Sequence, residues 1–392
     1  MAAADGTRRH ASLAAGGGGK TSIMTPADVL LVTGTAYLPQ VIGGVELNTH
    51  EMATELNRRG CKTAVLAKLS PRDAFGATRL LSTYWRGSRI SLDQNLGYEV
   101  YRSRNPCELS DVPLPDVAVI QNGNMLELAE AFARRGVPCV AYFHGLPFEC
   151  AEHDWPPAAM RRWFAGYIAN STYTATRFRA RCGIDAHVIP PVFNPARYQT
   201  SGERRFVTFI NPVAHKGVEL ALALAALCPE IPFRFVKAWP LSPGQSIRLK
   251  RRIAQLRNVQ LLERRSDMRS IYAATRVLLV PSKPGHETWG RVASEAHFSG
   301  IPVLASDVGG LPEAVGPGGT IMSSDASPKA WAGALRRLWT DRAYYDAKSA
   351  AALAYSGRSA INLDRQLRLL RDVLVRASSG SSASLCASAT GT

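Results

Sequence analysis

The 392-residue sequence predicts an α/β protein in which two Rossmann-like domains, each with a parallel sheet, face each other across a cleft. Short apolar runs alternate with segments of helical periodicity along most of the chain, and this pattern indicates a parallel sheet covered by helices on both faces. The alternation stops once, at 192–204, and then resumes. A chain of this length also favours roughly two domains over one.

The N-terminal domain is predicted at 28–191. Its first strand is the apolar run at 28–33, and a helical pattern follows at 46–59, with Gly60 placed to end the helix. The other predicted elements of this domain are strands at 61–67 and in the runs EVYRS, DVAVIQN, VPCVAYFHG, YIANS and HVIPP, and helices near 125–135 and 173–181.

The C-terminal domain is predicted at 205–345, after a linker at 192–204. Its predicted strands are the runs RFVTFI, IPFRFV, NVQLLE, RVLLVPS and IPVLAS, and its predicted helices lie near 216–227, 267–275 and 291–299. Closing helices near 328–338 and within 346–377 could pack on either domain. By composition, residues 1–27 are predicted to be a disordered lead and residues 378–392 a flexible tail.

Composition narrows the setting in which the chain works. No apolar run approaches the roughly 20 residues that a membrane-spanning helix needs, and residues 1–27 lack the apolar core of a signal peptide. The seven cysteines include no CxxC pair, which favours a reducing compartment without a disulfide framework or a zinc site. We therefore expect a cytoplasmic protein.

The net charge of +16 either reflects an arginine-rich composition in general or marks an anionic partner. Ten basic residues fall between positions 58 and 104 against few acidic ones. This segment indicates contact with an anionic membrane surface or an acidic acceptor, so a peripheral location at the inner membrane is a further expectation. The basic segment SIRLKRRIAQLRN is typical of a solvated helix face. No nucleic-acid-binding module is recognisable, and no nucleic-acid partner is predicted.

Two glutamates with seven residues between them form the most informative motif. Glu287 lies in the loop after RVLLVPS, beside Gly290, and Glu295 falls one to two turns into the helix that begins near Arg291. A carboxylate accepts hydrogen bonds from sugar hydroxyls, and a helix N-terminus binds phosphate through its free N–H groups. The motif therefore suits a ligand with two hydroxylated ends and an anionic middle, which is the form of a nucleotide sugar.

Glycine and polar residues also stand at other strand ends that are predicted to face the cleft: Gly43 and Gly44, His144, Asn211 with Lys216, and Gly309 with Gly310. Each has an ordinary alternative, which is a plain turn for the glycines, a capping or packing role for His144, and a surface position for Lys216. A lysine at such a turn can instead bind a diphosphate as a point charge, and a histidine can present its ring or its carbonyl to substrate. Their shared position at one edge of the sheets favours a binding site.

Together these motifs resemble the GT-B glycosyltransferases, specifically the large retaining family 4. The resemblance spans roughly 28–345, and the combination of the two glutamates with GIPV and GGLPE is its most specific part. The matching residues are Gly43-Gly44-Val45-Glu46, His144-Gly145, 188–191, Asn211-Pro212, Lys216-Gly217, Glu287, Glu295, 300–303 and Gly309-Gly310-Leu311-Pro312-Glu313.

The resemblance implies transfer of a hexose-type sugar from a nucleotide-sugar donor to a glycan, lipid-linked or small-molecule acceptor. It also implies retention of anomeric configuration, with no metal ion and no other cofactor. It places Glu295 on the donor ribose, Glu287 near the hexose hydroxyls and His144 near the transferred hexose. The catalytic residues predicted in this way are His144, Lys216 and Glu287. The predicted donor-binding residues are Gly43, Gly44, Asn211, Lys216, Glu287, Gly290, Arg291 and Glu295.

One departure from the family pattern concerns the diphosphate. Many relatives carry an arginine a few residues before the lysine, whereas this chain has the sequence NPVAH from Asn211 to His215. The second cation could come from His215 or Arg291, or be absent.

Two other functions stay open. A nucleotide-sugar epimerase on a related fold would need acid and base residues that the sequence does not clearly offer, and the presence of Lys216 and Glu287 disfavours a non-catalytic nucleotide-sugar binding protein.

Overall fold

The computed structural model describes residues 27–150, 155–239, 241–263 and 267–387. Its N-terminal domain contains an eight-stranded sheet in the order β3-β4-β2-β1-β5-β6-β7-β8, and all pairs are parallel except β3 with β4. The elements are β1 (Val29–Ala36), α1 (Gly44–Arg58), β2 (Thr63–Lys68), α2 (Ala74–Trp85), β3 (Ile90–Asp93), β4 (Val100–Ser103), β5 (Val117–Ile120), α3 (Met125–Ala133), β6 (Cys139–Phe143), α4 (Pro157–Trp163), β7 (Gly166–Ala169), α5 (Thr172–Cys182) and β8 (His187–Val188).

The C-terminal domain contains a six-stranded parallel sheet in the order β11-β10-β9-β12-β13-β14. The elements are β9 (Phe206–Ile210), α6 (Val218–Leu227), β10 (Phe233–Val236), α7 (Pro243–Ile253), β11 (Val259–Leu262), α8 (Arg269–Ala273), β12 (Thr275–Val280), α9 (Arg291–His297), β13 (Val303–Ser306), α10 (Leu311–Val315), β14 (Gly319–Met322), α11 (Pro328–Thr340), α12 (Arg342–Ser356) and α13 (Leu363–Ala387).

Both sheets follow the doubly wound scheme, which confirms the predicted fold class. Strand order reverses between β1 and β5 in the first sheet and between β9 and β12 in the second. Ligands of such sheets bind outside the carboxyl ends of the strands beside this reversal. The loops that follow β1, β5, β9 and β12 are therefore the places where a ligand site is expected, and they carry most of the predicted site residues.

The closing helices divide between the two domains. Trp331 and Leu335 of α11 and Tyr345 of α12 pack into the core of the C-terminal domain. Helix α13 instead returns to the N-terminal domain, where Leu367, Leu370, Val373, Leu374 and Ala377 join the core beneath β1, β5 and β6. The last helix of the chain thus completes the core of the first domain.

Two predictions concern the ends of the chain. The lead predicted at 1–27 lies outside the described residues except for Ala27, which is buried. The flexible tail predicted at 378–392 stays a prediction, and within the described residues α13 continues to Ala387. Ser378 and Ser379 donate hydrogen bonds to the carbonyl oxygens of Leu374 and Val375. Serines can continue a helix in this way because the helix backbone itself accepts the hydrogen bonds of their hydroxyls.

The sequence patterns missed helix α2 and strands β3 and β14. Helix α2 begins at the N-cap Asp73, whose carboxylate accepts a 2.7 Å hydrogen bond from the Gly76 amide.

Within the described residues, none of the helices is long and apolar enough to cross a membrane.

Candidate active site

The loop between β12 and α9 brings Glu287 against Lys216 of the loop between β9 and α6. Their side chains form an ion pair through Lys216 Nζ and Glu287 Oε1, and Ser282 Oγ donates a 2.9 Å hydrogen bond to the same oxygen. The Lys216 side chain keeps 18% of its surface exposed. A small cavity opens here, lined among others by Asn211, Lys216, Glu287 and Val292. The pair is therefore desolvated enough to be strong and open enough to exchange a partner.

Glycines set the geometry of these two loops. Gly217 follows Lys216 with φ +84°, and a Cβ atom there would lie 1.9 Å from the carbonyl oxygen of Pro281. Gly309 has φ +58°, and its Cβ would lie 1.7 Å from the carbonyl oxygen of Glu287. Both positions combine a left-handed backbone with close approach of another chain segment, which only glycine tolerates. The two glycines thus hold the lysine and the glutamate in place.

Arg291 binds both domains together and is not a free cation. Its Nη1 donates to the Val192 carbonyl at 3.0 Å, and its Nη2 lies 3.1 Å from both Glu51 Oε1 and the Tyr198 hydroxyl. The guanidinium also lies 4.3 Å from the ring of Phe193. We call Glu51, Tyr198, Arg291 and Glu295 the Arg291 cluster. Both Nη atoms of Arg291 are directed to protein acceptors in this structure, and the alternative that Arg291 supplies the second diphosphate cation stays a prediction.

Glu295 lies in the interior, at the end of this cluster. The Tyr272 hydroxyl donates to its Oε2 at 2.7 Å, and Arg291 Nε lies 3.4 Å from its Oε1. Burial raises the pKa of Glu295, although the charge of Arg291 opposes this change. Both carboxylate oxygens contact protein groups in this state, so the contact with a donor ribose stays a prediction.

His144 reaches the site from the other domain, at the end of β6. Its carbonyl oxygen accepts a 2.8 Å hydrogen bond from Thr288 Oγ1, the residue next to Glu287. Its Nε2 lies 3.1 Å from Gln121 Oε1, and with this amide orientation the proton is assigned to Nε2. Burial, aided by the charge of Arg291, lowers the pKa of His144 to about 3. The imidazole is therefore neutral and can accept a hydrogen bond at Nδ1.

The remaining predicted residues lie around the same cleft. Gly43 caps the N-terminus of α1, and a Cβ on it would come within 3.9 Å of Trp239 Nε1 from the opposite domain. Gly44 lies against the Arg291 side chain, and Gly290 caps α9. The carboxylate of Glu313 accepts a 2.8 Å hydrogen bond from the Thr172 amide across the domain boundary. The structure thus brings together residues that are up to 270 positions apart in the sequence.

The sequence analysis predicted Asn211 at the donor site but missed Trp239 and the contact between these two residues. The Asn211 side-chain oxygen accepts hydrogen bonds from the amides of Ala238 at 3.1 Å and Trp239 at 2.8 Å. The Trp239 ring then lies 5.5 Å from the ring of His215 and 5.5 Å from Lys216 Nζ. We call His215, Lys216, Trp239, His286 and Glu287 the Lys216 cluster. Glu51 was also missed, although an acidic residue on the buried face of a helix was a signal that could have drawn attention to it.

Comparison with known proteins agrees with this architecture. A family model described as Glycosyltransferase Family 4 matches residues 42–197, and one described as Glycosyl transferases group 1 matches residues 205–341. Among solved structures, Anabaena Alr3699/HepE in complex with UDP and glucose aligns with a TM-score of 0.70 at 20% identity, over 89% of this chain and 99% of that one. Sucrose-phosphate synthase from Thermosynechococcus elongatus aligns with a TM-score of 0.65 at 15% identity, over 89% of this chain and 98% of that one.

Curated relatives match shorter segments. The D-inositol 3-phosphate glycosyltransferase of Corynebacterium glutamicum (strain R) is 47% identical over 77 residues, which is 19% of this chain and 18% of the relative. The enzyme of the same name from Corynebacterium aurimucosum is 40% identical over 103 residues, 26% of this chain and 24% of the relative. These alignments therefore span about a quarter or less of the relatives.

Two facing doubly wound domains with a lysine and a glutamate at the reversal of the second sheet define the GT-B class. The two family models cover most of both domains. The chain belongs to the GT-B glycosyltransferases of the family 4 type.

Proposed function

We propose that the protein transfers a hexose-type sugar from a nucleotide-sugar donor to a glycan, lipid-linked or small-molecule acceptor, with retention at the anomeric carbon. The observation that carries the proposal is the Lys216–Glu287 ion pair at the strand-order reversal of the C-terminal sheet, beside the carbonyl and ring of His144 from the other domain. The pair joins a cation suited to phosphate with a carboxylate suited to sugar hydroxyls.

In the proposed reaction the donor diphosphate lies at Lys216 and the N-terminus of α6. Negative charge accumulates on the diphosphate as the glycosidic bond breaks, and a fixed ammonium and the positive end of the helix dipole stabilise it without reorganising. Glu287, released from Lys216, then accepts hydrogen bonds from the hexose hydroxyls. Neutral His144 accepts a further one at Nδ1, and Glu295 contacts the ribose. The leaving phosphate takes the acceptor proton, so no separate carboxylate base and no metal ion are needed.

A thermal-shift titration tests the donor site. UDP, GDP, ADP and their hexose conjugates are each added to the protein, and the one that binds is expected to stabilise it by about 2.7 kcal/mol at a hundred times its Kd. Glu287→Gln should reduce the shift caused by the nucleotide sugar, whereas Glu230→Gln, a change of an exposed carboxylate after the end of α6, should leave it unaltered. No shift with any of these compounds would count against the proposal.

Turnover separates the transferase from the alternatives. With donor alone, an epimerase would convert the sugar, whereas a transferase would at most hydrolyse it slowly. With an acceptor present, the transferase should yield a glycoside whose anomeric configuration, read from the NMR coupling constant, equals that of the donor. An inverted product would refute retention but not transfer.

Only part of the basic segment 58–104 is free to make the proposed membrane contact. Within the basic segment 58–104, Arg59 is paired with Glu55, and Arg79 and Arg102 are both paired with buried Asp93. These arginines hold the N-terminal domain together and cannot all face a membrane. The exposed part of the segment centres on α2, where Leu81, Tyr84 and Trp85 are 58%, 82% and 78% exposed.

We therefore place the proposed membrane contact on the outer face of α2, made of Ala74, Ala77, Leu81, Tyr84 and Trp85 with the exposed Arg72 and Arg86 at its ends. Ile90 at the start of β3 pairs with Ser103 at the end of β4, so α2 begins and ends at the cleft edge of the sheet. An apolar helix face flanked by arginines suits an anionic bilayer. A lipid-linked acceptor would then meet the cleft from this side.

Sedimentation with vesicles tests this contact. The wild type should bind phosphatidylglycerol-containing vesicles more than pure phosphatidylcholine vesicles, and Leu81→Ser combined with Trp85→Ser should abolish the difference. Leu353→Ser is the control, because Leu353 on α12 is 53% exposed, close to the 58% of Leu81. Equal sedimentation of wild type and the double variant would rule out α2.

A further inference from the structure

We propose that His215, in its protonated form, supplies the second cationic group at the donor diphosphate, so that donor binding takes up a proton. The inference rests on the proposed function, because it concerns how the same site holds a nucleotide sugar. It assigns a role to the histidine next to Lys216, in the segment from Asn211 to His215 where the sequence analysis found no arginine.

The departure begins at Asn211. This residue adopts a left-handed backbone with φ +61°, and its side-chain oxygen binds the amides of Ala238 and Trp239. It therefore carries no charge to the site but fixes the loop after β10. Through these two hydrogen bonds, Asn211 determines where the Trp239 indole lies.

The Trp239 ring in turn contacts His215, the neighbour in sequence of Lys216, which lines the cavity. The two rings lie 5.5 Å apart with an interplanar angle of 31°, and the ring of His286 lies 5.0 Å from His215 on the loop that carries Glu287. Among the described residues, the ring nitrogens of His215 and His286 make no hydrogen bond. The imidazole is thus positioned by stacking, next to Lys216 in sequence, with its polar atoms available to a ligand.

The charges around His215 keep it neutral while the site is empty. Burial lowers the pKa of His215 most, the charges of Lys216 and His286 lower it further, and Glu287 opposes them. The amide of Lys283 donates to the His215 carbonyl at 3.0 Å, and the Lys283 side chain is exposed. Glu287 has limited influence because it is already paired with Lys216.

A bound diphosphate reverses this balance. Its two negative charges beside Lys216 favour the protonated imidazole, so the pKa of His215 is higher in the complex than in the free protein. Between these two pKa values, affinity increases as the pH falls, by at most about tenfold per pH unit for one proton. Below the lower value and above the higher one, affinity is independent of this group. An arginine at the same place would give no such dependence.

Isothermal titration calorimetry tests the proposal, with whichever of UDP-glucose, GDP-mannose and ADP-glucose binds the protein. A sugar nucleotide is a suitable probe because its diphosphate is esterified at both ends, whereas the terminal phosphate of UDP titrates near pH 6. At pH 7.5, titrations in two buffers of different ionisation enthalpy give the number of protons taken up. Kd is then measured from pH 6 to pH 8.5.

For the wild type we expect uptake of a fraction of a proton up to one proton, and a Kd that weakens several-fold between pH 6.5 and pH 8. His215→Arg should bind with no proton uptake and a Kd independent of pH. His215→Asn should bind at all pH values about as weakly as the wild type does at pH 8.5. The control His187→Asn, a change of an exposed histidine on β8, should preserve both the uptake and the pH dependence.

The proposal is overturned if the wild type binds without proton uptake and with constant Kd while Lys216→Ala still loses binding. In that case the donor site stands and His215 has no part in it. If none of the three nucleotide sugars binds at any pH, both this inference and the proposed function fail.

Discussion

Two clusters of charged side chains lie at either end of the segment from Glu287 to Glu295, and they differ in how completely their charges are matched. In the Arg291 cluster every charged group is buried and contacts a protein partner, and the partners come from both domains and the linker. In the Lys216 cluster the ammonium is partly exposed, and two imidazoles beside it lack hydrogen-bond partners among the described residues.

This difference in burial and in hydrogen-bond partners indicates which charged groups stabilise the fold and which can bind a ligand. A buried ion pair is costly to break because the remaining charge has no access to water. A partly exposed pair can exchange one partner for a ligand at much lower cost. We infer that the Arg291 cluster holds the two domains at a fixed distance, while the Lys216 cluster changes partners during the reaction.

Removal of Arg291 should have the largest effect. Arg291→Ala leaves Glu295 buried without its cation and leaves Glu51 with the more distant Arg197, 3.8 Å away, and we expect the free energy of unfolding to fall by about 3–5 kcal/mol. Urea denaturation followed by circular dichroism measures this change. Arg252→Ala is the matched control, because it breaks an exposed pair with Glu219 and should cost under about 1 kcal/mol. Similar losses for both variants would contradict the assignment of the Arg291 cluster as an interdomain anchor.

Removal of Lys216 should affect turnover far more than folding. Lys216→Ala takes away the proposed stabilisation of the leaving diphosphate, and we expect kcat/KM to fall by about 10²–10³-fold. The free energy of unfolding should fall by less than in Arg291→Ala, because Glu287 keeps the Ser282 hydroxyl and the Lys216 side chain is already 18% exposed. Lys348→Ala, on the far side of the C-terminal domain, should alter neither quantity. A large loss of stability with unchanged turnover would reverse the roles assigned to the two clusters.

The pKa of His144 is lowered in part by Arg291, so His144 should make the stability of the folded protein depend on pH in the acidic range. Its pKa is lowered to about 3 in the folded protein, chiefly by burial and in part by Arg291. The unfolded chain therefore binds the proton first, and stability falls as the pH decreases from about 6.5 towards 3, by up to about 1.4 kcal/mol per pH unit for this group. His144→Gln should flatten the decrease measured by urea denaturation between pH 7 and pH 5, whereas His187→Gln should not. An unchanged slope in His144→Gln would mean that other groups cause the acid instability.

Much of the fold follows from local patterns in the sequence. Apolar runs such as 28–33 and 276–282 predicted buried parallel strands, and the glycines after them located the turns at the cleft edge. The contact between Lys216 and Glu287 could also be predicted from the strand pattern. Strands β9 and β12 are the first and fourth strands of the second doubly wound sheet, and the loops after them meet where the strand order reverses.

What the sequence did not predict depends on contacts between distant residues. Helix α2 was missed because it leaves Leu81 and Trp85 exposed, so its apolar periodicity does not mark a core. The role of Arg291 depends on Glu51, which lies 240 positions away. The importance of Asn211 depends on a loop after another strand, and no spacing in the chain connects it to Trp239.

The return of α13 to the first domain has a consequence for how the protein is made. During synthesis the N-terminal sheet leaves the ribosome long before Leu367, Leu370 and Val373 exist to cover it. The C-terminal domain has all of its strands by Met322 and can complete its fold once α11 and α12 have emerged. The domain that is translated first is thus the one that finishes last, and its uncovered apolar surface is a place where chaperones would act on the nascent chain.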